Sequence, residues 1–163
     1  MIRQLTANDF QKWKALRLEA VKLNPESFGE SLENVQRQDE AWFSDSLKRG
    51  SIFTYTITID SEKMAGLIGT FPMQPDNLKH RAVLFGLYVK PEYRAQGIAS
   101  ALVEHVIGHV KPTHEQIHLT VTTNNKAATA LYKKHGFIVY GTEPDALKIG
   151  NDYYDEYLML KKL

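Results

Sequence analysis

The chain has 163 residues, 43% of them hydrophobic and 24% charged, with a formal net charge of +1 and no cysteine. That length suits a single domain over residues 1–163 with a sizeable core. The balanced charge argues against a general nucleic-acid binder, and the missing thiols exclude disulfides, thiolate metal sites and a cysteine-acyl intermediate. No apolar stretch approaches the ~20 residues of a membrane span. The first residues lack the charged-then-apolar layout of a signal peptide, so the expected location is cytoplasmic, with no membrane partner.

Residues 2–5 read as a short first strand. Thr6 and Asn8 are capping types ahead of a helix in which Phe10, Trp13, Leu16 and Ala20 recur at three- and four-residue steps. Asn24-Pro25 ends that helix. Residues 31–48 are polar, with Leu32, Val35, Trp42, Phe43 and Leu47 as anchors, which reads as one or two surface helices ending at Gly50. Residues 51–59 are rich in β-branched and aromatic types and form a strand. A turn at 60–63 and a strand at 64–71 complete a hairpin, and a loop with two prolines spans 72–79. A third long strand covers 80–89, with Gly86 inside it, where a glycine marks a bulge or a close approach. A helix at 97–110 stops at Lys111-Pro112 and a strand follows at 116–122. Asn124-Asn125 opens another helix that runs to about His135 and closes at Gly136. Strands at 137–141 and 153–160 end the chain. This order suggests a three-layer α/β domain around one mixed sheet.

The stretch from Val89 to Leu102 is the most informative. An apolar strand ends at Pro91, a short basic loop follows, and Gly97 opens an amphipathic helix. The first N–H groups of a helix have no partner inside it and carry partial positive charge. They suit a phosphate, and Arg94 adds a full charge at the same end. Gly97 lets backbone approach the ligand closely.

Two motifs carry chemistry. The first is Arg94-x-x-Gly97-x-Ala99. The second is Asn125-x-x-Ala128-x-x-Leu131-Tyr132-x-Lys134-x-Gly136-Phe137. Together, in this order and one strand apart, they resemble the GNAT superfamily of acyl-CoA-dependent N-acyltransferases. The resemblance implies a three-layer α/β/α fold with a central mixed, mostly antiparallel sheet. It implies acetyl-CoA as cosubstrate and direct transfer of the acetyl group to an amine, with no metal. The pyrophosphate is expected on the amides of Gln96, Gly97, Ile98 and Ala99, with Arg94 and Ala95 also in the cofactor-binding loop, and the pantetheine arm beside Leu87, Tyr88 and Val89 like an added strand. A bulge near Gly86 would splay this strand from the one at 116–122. Asn125 and Ala128 are expected along the cofactor arm. Tyr132 is expected to donate to the departing thiolate.

Many members of the superfamily place a glutamate on the strand before the phosphate loop, but residues 81–89 hold no carboxylate. The candidates for a base or acceptor pocket therefore lie elsewhere: Phe28, Glu30 and Glu33 near the second helix, and Tyr154, Asp155 and Glu156 in the last strand. If Leu158 and Leu160 face the core, alternation sends Glu156 the same way. Leu16-Arg17-Leu18-Glu19-Ala20 with Phe28-Gly29, and Ala146-Leu147-Lys148 with Tyr154-Asp155-Glu156, resemble a common bacterial subgroup whose acceptor the resemblance does not identify. The partner is expected to be a small-molecule or protein amine, and homodimerisation stays open. His105, His109, His114 and His118 suggest zinc only in passing, because Gly108 and Pro112 interrupt them and no acidic residue completes a ligand set. A non-catalytic acyl-CoA sensor on the same fold is the alternative.

Overall fold

The structure is a computed structural model that describes residues 1–57 and 63–163. Seven strands form one sheet in the order β1-β2-β3-β4-β5-β7-β6. They are β1 (Ile2–Gln4), β2 (Ser51–Thr56), β3 (Met64–Pro72), β4 (Arg81–Val89), β5 (Gln116–Thr122), β6 (Ile138–Ile149) and β7 (Asp152–Lys162). All neighbours are antiparallel except β4 and β5. The helices are α1 (Phe10–Leu23), α2 (Leu32–Arg37), α3 (Glu40–Arg49), α4 (Ile98–Val110) and α5 (Lys126–Lys134). The fold is thus the expected mixed, mostly antiparallel sheet between two helical layers.

Each layer has its own core. On one face α1, α2 and α3 bury Phe10, Trp13, Leu16, Val35 and Phe43 against Ile52, Leu67 and Tyr88. On the other, α4 and Phe137 pack Leu102, Val103 and Val106 against Phe53, Ile68, Leu84 and Ile117. Strands covered on both faces need apolar residues at successive positions, and Ile52-Phe53 and Leu67-Ile68 each send one side chain to each core.

The chain-order expectations hold in type but differ in extent. The polar stretch 31–48 splits into α2 and α3, capped by Ser31 and Asp39. The expected turn at 60–63 and the end of its first strand lie outside the described residues, Lys63 excepted. The largest difference is β6, which runs on to Ile149 rather than stopping at Gly141. Gly141 and Pro144 read as breakers, yet β6 is an edge strand and tolerates a residue without an N–H. Two register irregularities absorb the misfit, with Asp145 at φ 51° and its N–H donated to Asp155 Oδ1 at 2.9 Å.

At the start of α1, Arg3 grips the buried Asp9 with two nitrogens at 2.6 and 2.9 Å, and the Thr6 N–H adds a bond at 2.8 Å. The guanidinium holds the Asp9 carboxyl down from 3.8 to about 2. A folded-state pKa below the unfolded one stabilises the protein above the unfolded value and stops doing so as pH falls through the folded one. Asp9→Asn is therefore expected to cost about 2 kcal/mol in urea unfolding at pH 7. The gap to the parent protein should narrow as pH falls from about 4 towards 2; a gap that stays constant would mean Asp9 acts by packing alone.

Candidate active site

The central feature is a gap in the sheet. Residues 81–83 of β4 pair with 116–118 of β5, and no pairing continues beyond Val83 and His118. The facing backbone edges of 84–89 and 119–122 therefore have no strand partner there. The cause lies in β4. Leu67 opposes Tyr88 and Gly69 opposes Phe85, so β4 carries one extra residue between those pairs. This is the bulge expected near Gly86, which sits at φ +66°. It also reverses the alternation. Ala82 and Leu84 face α4 before the bulge, and Leu87 and Val89 face it afterwards, while Tyr88 turns to the α1 side.

The phosphate-type loop follows directly. A 3-10 turn at Pro91–Tyr93 leads to Arg94, whose Nε donates to Val89 O at 2.9 Å and whose guanidinium lies 5.8 Å from the Tyr88 ring. Ala95 and Gly97 have φ of 59° and 80°. Gly97 is the N-cap of α4 and brings no side-chain cap. Its carbonyl accepts the first helical bond, from Ala101 N at 3.0 Å. The N–H groups of Ile98, Ala99 and Ser100 thus precede the first intrahelical bond. Residues 94–97, Gln96 included, are exposed, and a Cβ built on Gly97 would meet nothing within 4 Å. This is an open cradle three residues after an exposed arginine, and it fits a pyrophosphate.

The α5 motif residues follow directly on the end of β5. Asn125 caps α5, accepting from Ala128 N at 3.1 Å. Its Nδ2 reaches Ser27 Oγ at 3.5 Å, joining α5 to the 25–30 loop. Tyr132 is buried, with its ring 5.7 Å from Phe137 and no hydrogen bond to its hydroxyl from the described residues. Burial pushes its phenol up, so Oη keeps its proton at neutral pH. At the splayed end of β5, the Thr122 hydroxyl is buried without a partner. An orphaned polar atom there also fits a ligand arm rich in amide groups.

On the α1–α3 face a cleft of ≈ 1040 Å³ opens over the sheet, lined among others by Arg17, Phe28, Glu30, Phe85, His118 and Glu156. Ile117, Leu119 and Val121 of β5 face the α4 core, which leaves His118, Thr120 and Thr122 on the cleft side. Across the β5–β7 register Thr122 opposes Glu156 and Leu119 opposes Met159. Glu156 therefore reaches the cleft face, but not for the reason expected. Tyr157 and Met159, not Leu158 and Leu160, face the α4 core, so Glu156 shares the opposite face with Leu158 and Leu160. Burial pushes its carboxyl above the usual carboxylate range; Glu143 adds to this and the Thr120 hydroxyl opposes it.

The other acidic candidates are placed differently. Both Glu30 oxygens are committed, to Arg17 Nη2 at 2.9 Å and Gln38 Nε2 at 2.7 Å. Glu33 is exposed on α2, and Tyr154 lies on the β6–β7 hairpin opposite Leu147; neither lines the cleft. Arg17 belongs to the Leu16–Ala20 stretch of the subgroup resemblance but had no expected role, although a signal existed. Arg17 stands four residues after Trp13 on the apolar stripe of α1, where a cation is out of place unless something is there to hold it. Arg81 had no expected role, and His118 was weighed only for zinc; the two are hydrogen-bonded at 3.1 Å beside the end of the β4–β5 pairing. Among the described residues no group of three or more His, Asp or Glu could hold a metal ion.

The acetyltransferase (GNAT) family model matches residues 13–137, and the chain belongs to this family. It is accordingly an enzyme of the acyltransferase class. Over 163 residues it is 26% identical to the L-amino acid N-acetyltransferase AaaT of Escherichia coli K12, covering 99% of this chain and 96% of that one. Its fold matches a GNAT-family acetyltransferase from Streptococcus pneumoniae with a TM-score of 0.86 at 24% identity, covering 100% and 99% of the two chains. A Salmonella typhimurium protein solved with its cofactor acetyl-CoA matches with a TM-score of 0.81 at 16% identity, over 100% of this chain and 93% of that one.

Proposed function

We propose that this protein is a cytoplasmic N-acetyltransferase that moves the acetyl group of acetyl-CoA directly to a primary amine of a small molecule or protein. The observation that carries this reading is the adjacency of the β4–β5 gap to the uncapped N-terminus of α4. One offers an unpaired strand edge to an extended amide-bearing arm, and the other an anion cradle to its phosphates. The relative from Salmonella typhimurium holds acetyl-CoA on the same fold.

Acetyl-CoA would supply an activated acyl carbonyl and a thiolate leaving group. The backbone N–H groups of Gly97, Ile98 and Ala99, with Arg94, would hold the pyrophosphate; Leu87, Tyr88 and Val89 would hold the arm. Asn125 and Ala128, at the start of α5, would lie along the same arm. Tyr132 keeps its proton on Oη and donates a hydrogen bond towards the sulfur. A phenol with a raised pKa gives up its proton reluctantly, so a bond that strengthens as sulfur gains charge is its main contribution. Glu156 takes the proton of the incoming amine. A free amine has pKa ~10, so its deprotonation at neutral pH costs ~4 kcal/mol. A carboxylate pushed above its usual range narrows that gap.

Acetyl-CoA at about 100 times its Kd should stabilise the fold by ~2.7 kcal/mol, a rise of about 5–10 °C in Tm for a chain of this size. Arg94→Ala should shrink that rise. Gly97→Val should abolish most of it, because valine is strained at φ 80° and its side chain would fill the cradle. Absence of any shift at millimolar acetyl-CoA would overturn the reading.

A further inference from the structure

We infer that the acceptor carries a free carboxylate beside its amine, and that Arg17 is the residue that holds this carboxylate; the inference rests on the acetyltransfer reading above. Arg17 is a buried cation on α1, and its guanidinium stands at the wall of the cleft directly over the β4 bulge. A Cβ placed on Gly86 would lie 3.4 Å from Arg17 Nη1. The cation therefore stands where the β4–β5 gap begins, the point at which donor and acceptor have to meet.

Its surroundings fix the guanidinium without using it up. Phe28 stacks on one face at 4.5 Å. Glu30 accepts from Nη2 at 2.9 Å and is itself held by Gln38 Nε2 at 2.7 Å. A guanidinium has five N–H donors in a planar fork, and Glu30 takes one. No described residue accepts from Nε or Nη1. None of the Arg17 nitrogens is among the buried polar atoms without a partner. The free donors are therefore not sealed in the core but face the cleft. A purely structural ion pair needs no open edge on the cleft; a carboxylate site does.

The remainder of the cleft suits the other end of such a molecule. The tip of the Phe85 ring lies over Gly69, where any Cβ would collide with it. Its ring is 5.5 Å from that of Phe71, and both stay more than a third exposed. An apolar floor beside a cation and a partly desolvated carboxylate, Glu156, matches a free amino acid with an apolar side chain. It does not match a protein N-terminus, whose nearest carbonyl is an uncharged amide.

The test compares L-phenylalanine, L-phenylalaninamide and phenethylamine as acceptors for the unmodified enzyme with acetyl-CoA, read as free thiol. L-Phenylalanine should exceed the other two in kcat/KM by roughly 10- to 100-fold, the worth of a charge-assisted hydrogen-bond pair. The difference should lie mainly in KM. Arg17→Lys, which keeps the charge and loses the fork, should raise KM for L-phenylalanine more than for phenethylamine. Equal use of phenethylamine or the amide overturns the carboxylate site while leaving acetyltransfer intact. Thiol release with none of the three, nor with any wider set of amines, overturns acetyltransfer itself and this inference with it.

Discussion

Glu156→Gln is expected to lower kcat at neutral pH by about 10²- to 10⁴-fold, the range for loss of a general base, while the acetyl-CoA-induced rise in Tm persists. The variant removes the charge and little else, since amide and carboxyl share a shape. The pH profile gives the sharper reading. Turnover needs the carboxylate, so it climbs as pH rises through a pKa that burial has moved above 4.5; the glutamine variant should lose that acid limb. Stability should move the opposite way. An acid whose folded-state pKa is raised destabilises the fold once it ionises, so Glu156→Gln should leave Tm unchanged or higher at pH 7. A kcat within a few-fold of the parent value would remove Glu156 from the reaction.

Tyr132→Phe is expected to lower kcat by roughly 10²-fold, as for loss of one hydrogen-bond donor aimed at developing charge. The ring packing against Phe137 survives the change, and no hydrogen bond within the described protein is broken. Stability and the acetyl-CoA shift should therefore stay close to the parent values. Unchanged kcat would leave Tyr132 a core aromatic and nothing more.

Much of this was legible in the sequence because the signals were local. The apolar stripe of α1, the cap at Asn125 and the turn at Gly97 follow from spacing and residue type alone. Gly86 marked the bulge for the same reason: within a strand, a glycine reports a backbone conformation that other residues resist. What stayed hidden depends on pairing. The extent of β6 was missed because Pro144 breaks most strands but not an edge strand. The direction of Glu156 hung on which face Leu158 and Leu160 take, and that was hidden because one face of β7 meets α4 and the other the cleft, and both carry apolar residues. Arg81 and His118 gain their place from a parallel pairing that lasts only three residues, which no periodicity reports. Arg17 was visible as a cation on an apolar stripe, but its partners Phe28 and Glu30 come from a loop that only the fold brings to it, and Gln38, which holds Glu30, comes from the end of α2.

The central claim is that the β4–β5 gap with the α4 cradle and the Glu156 cleft form one site that joins acetyl-CoA to an amine. The most direct test is to incubate the protein with acetyl-CoA and a panel of primary amines, following free thiol and the mass of the amine product. Thiol should appear only when an amine is present, with one acetylated amine per thiol, and Gly97→Val should suppress both. A protein whose Tm rises with acetyl-CoA but which releases no thiol with any amine would instead hold acyl-CoA without transferring it, contradicting the claim.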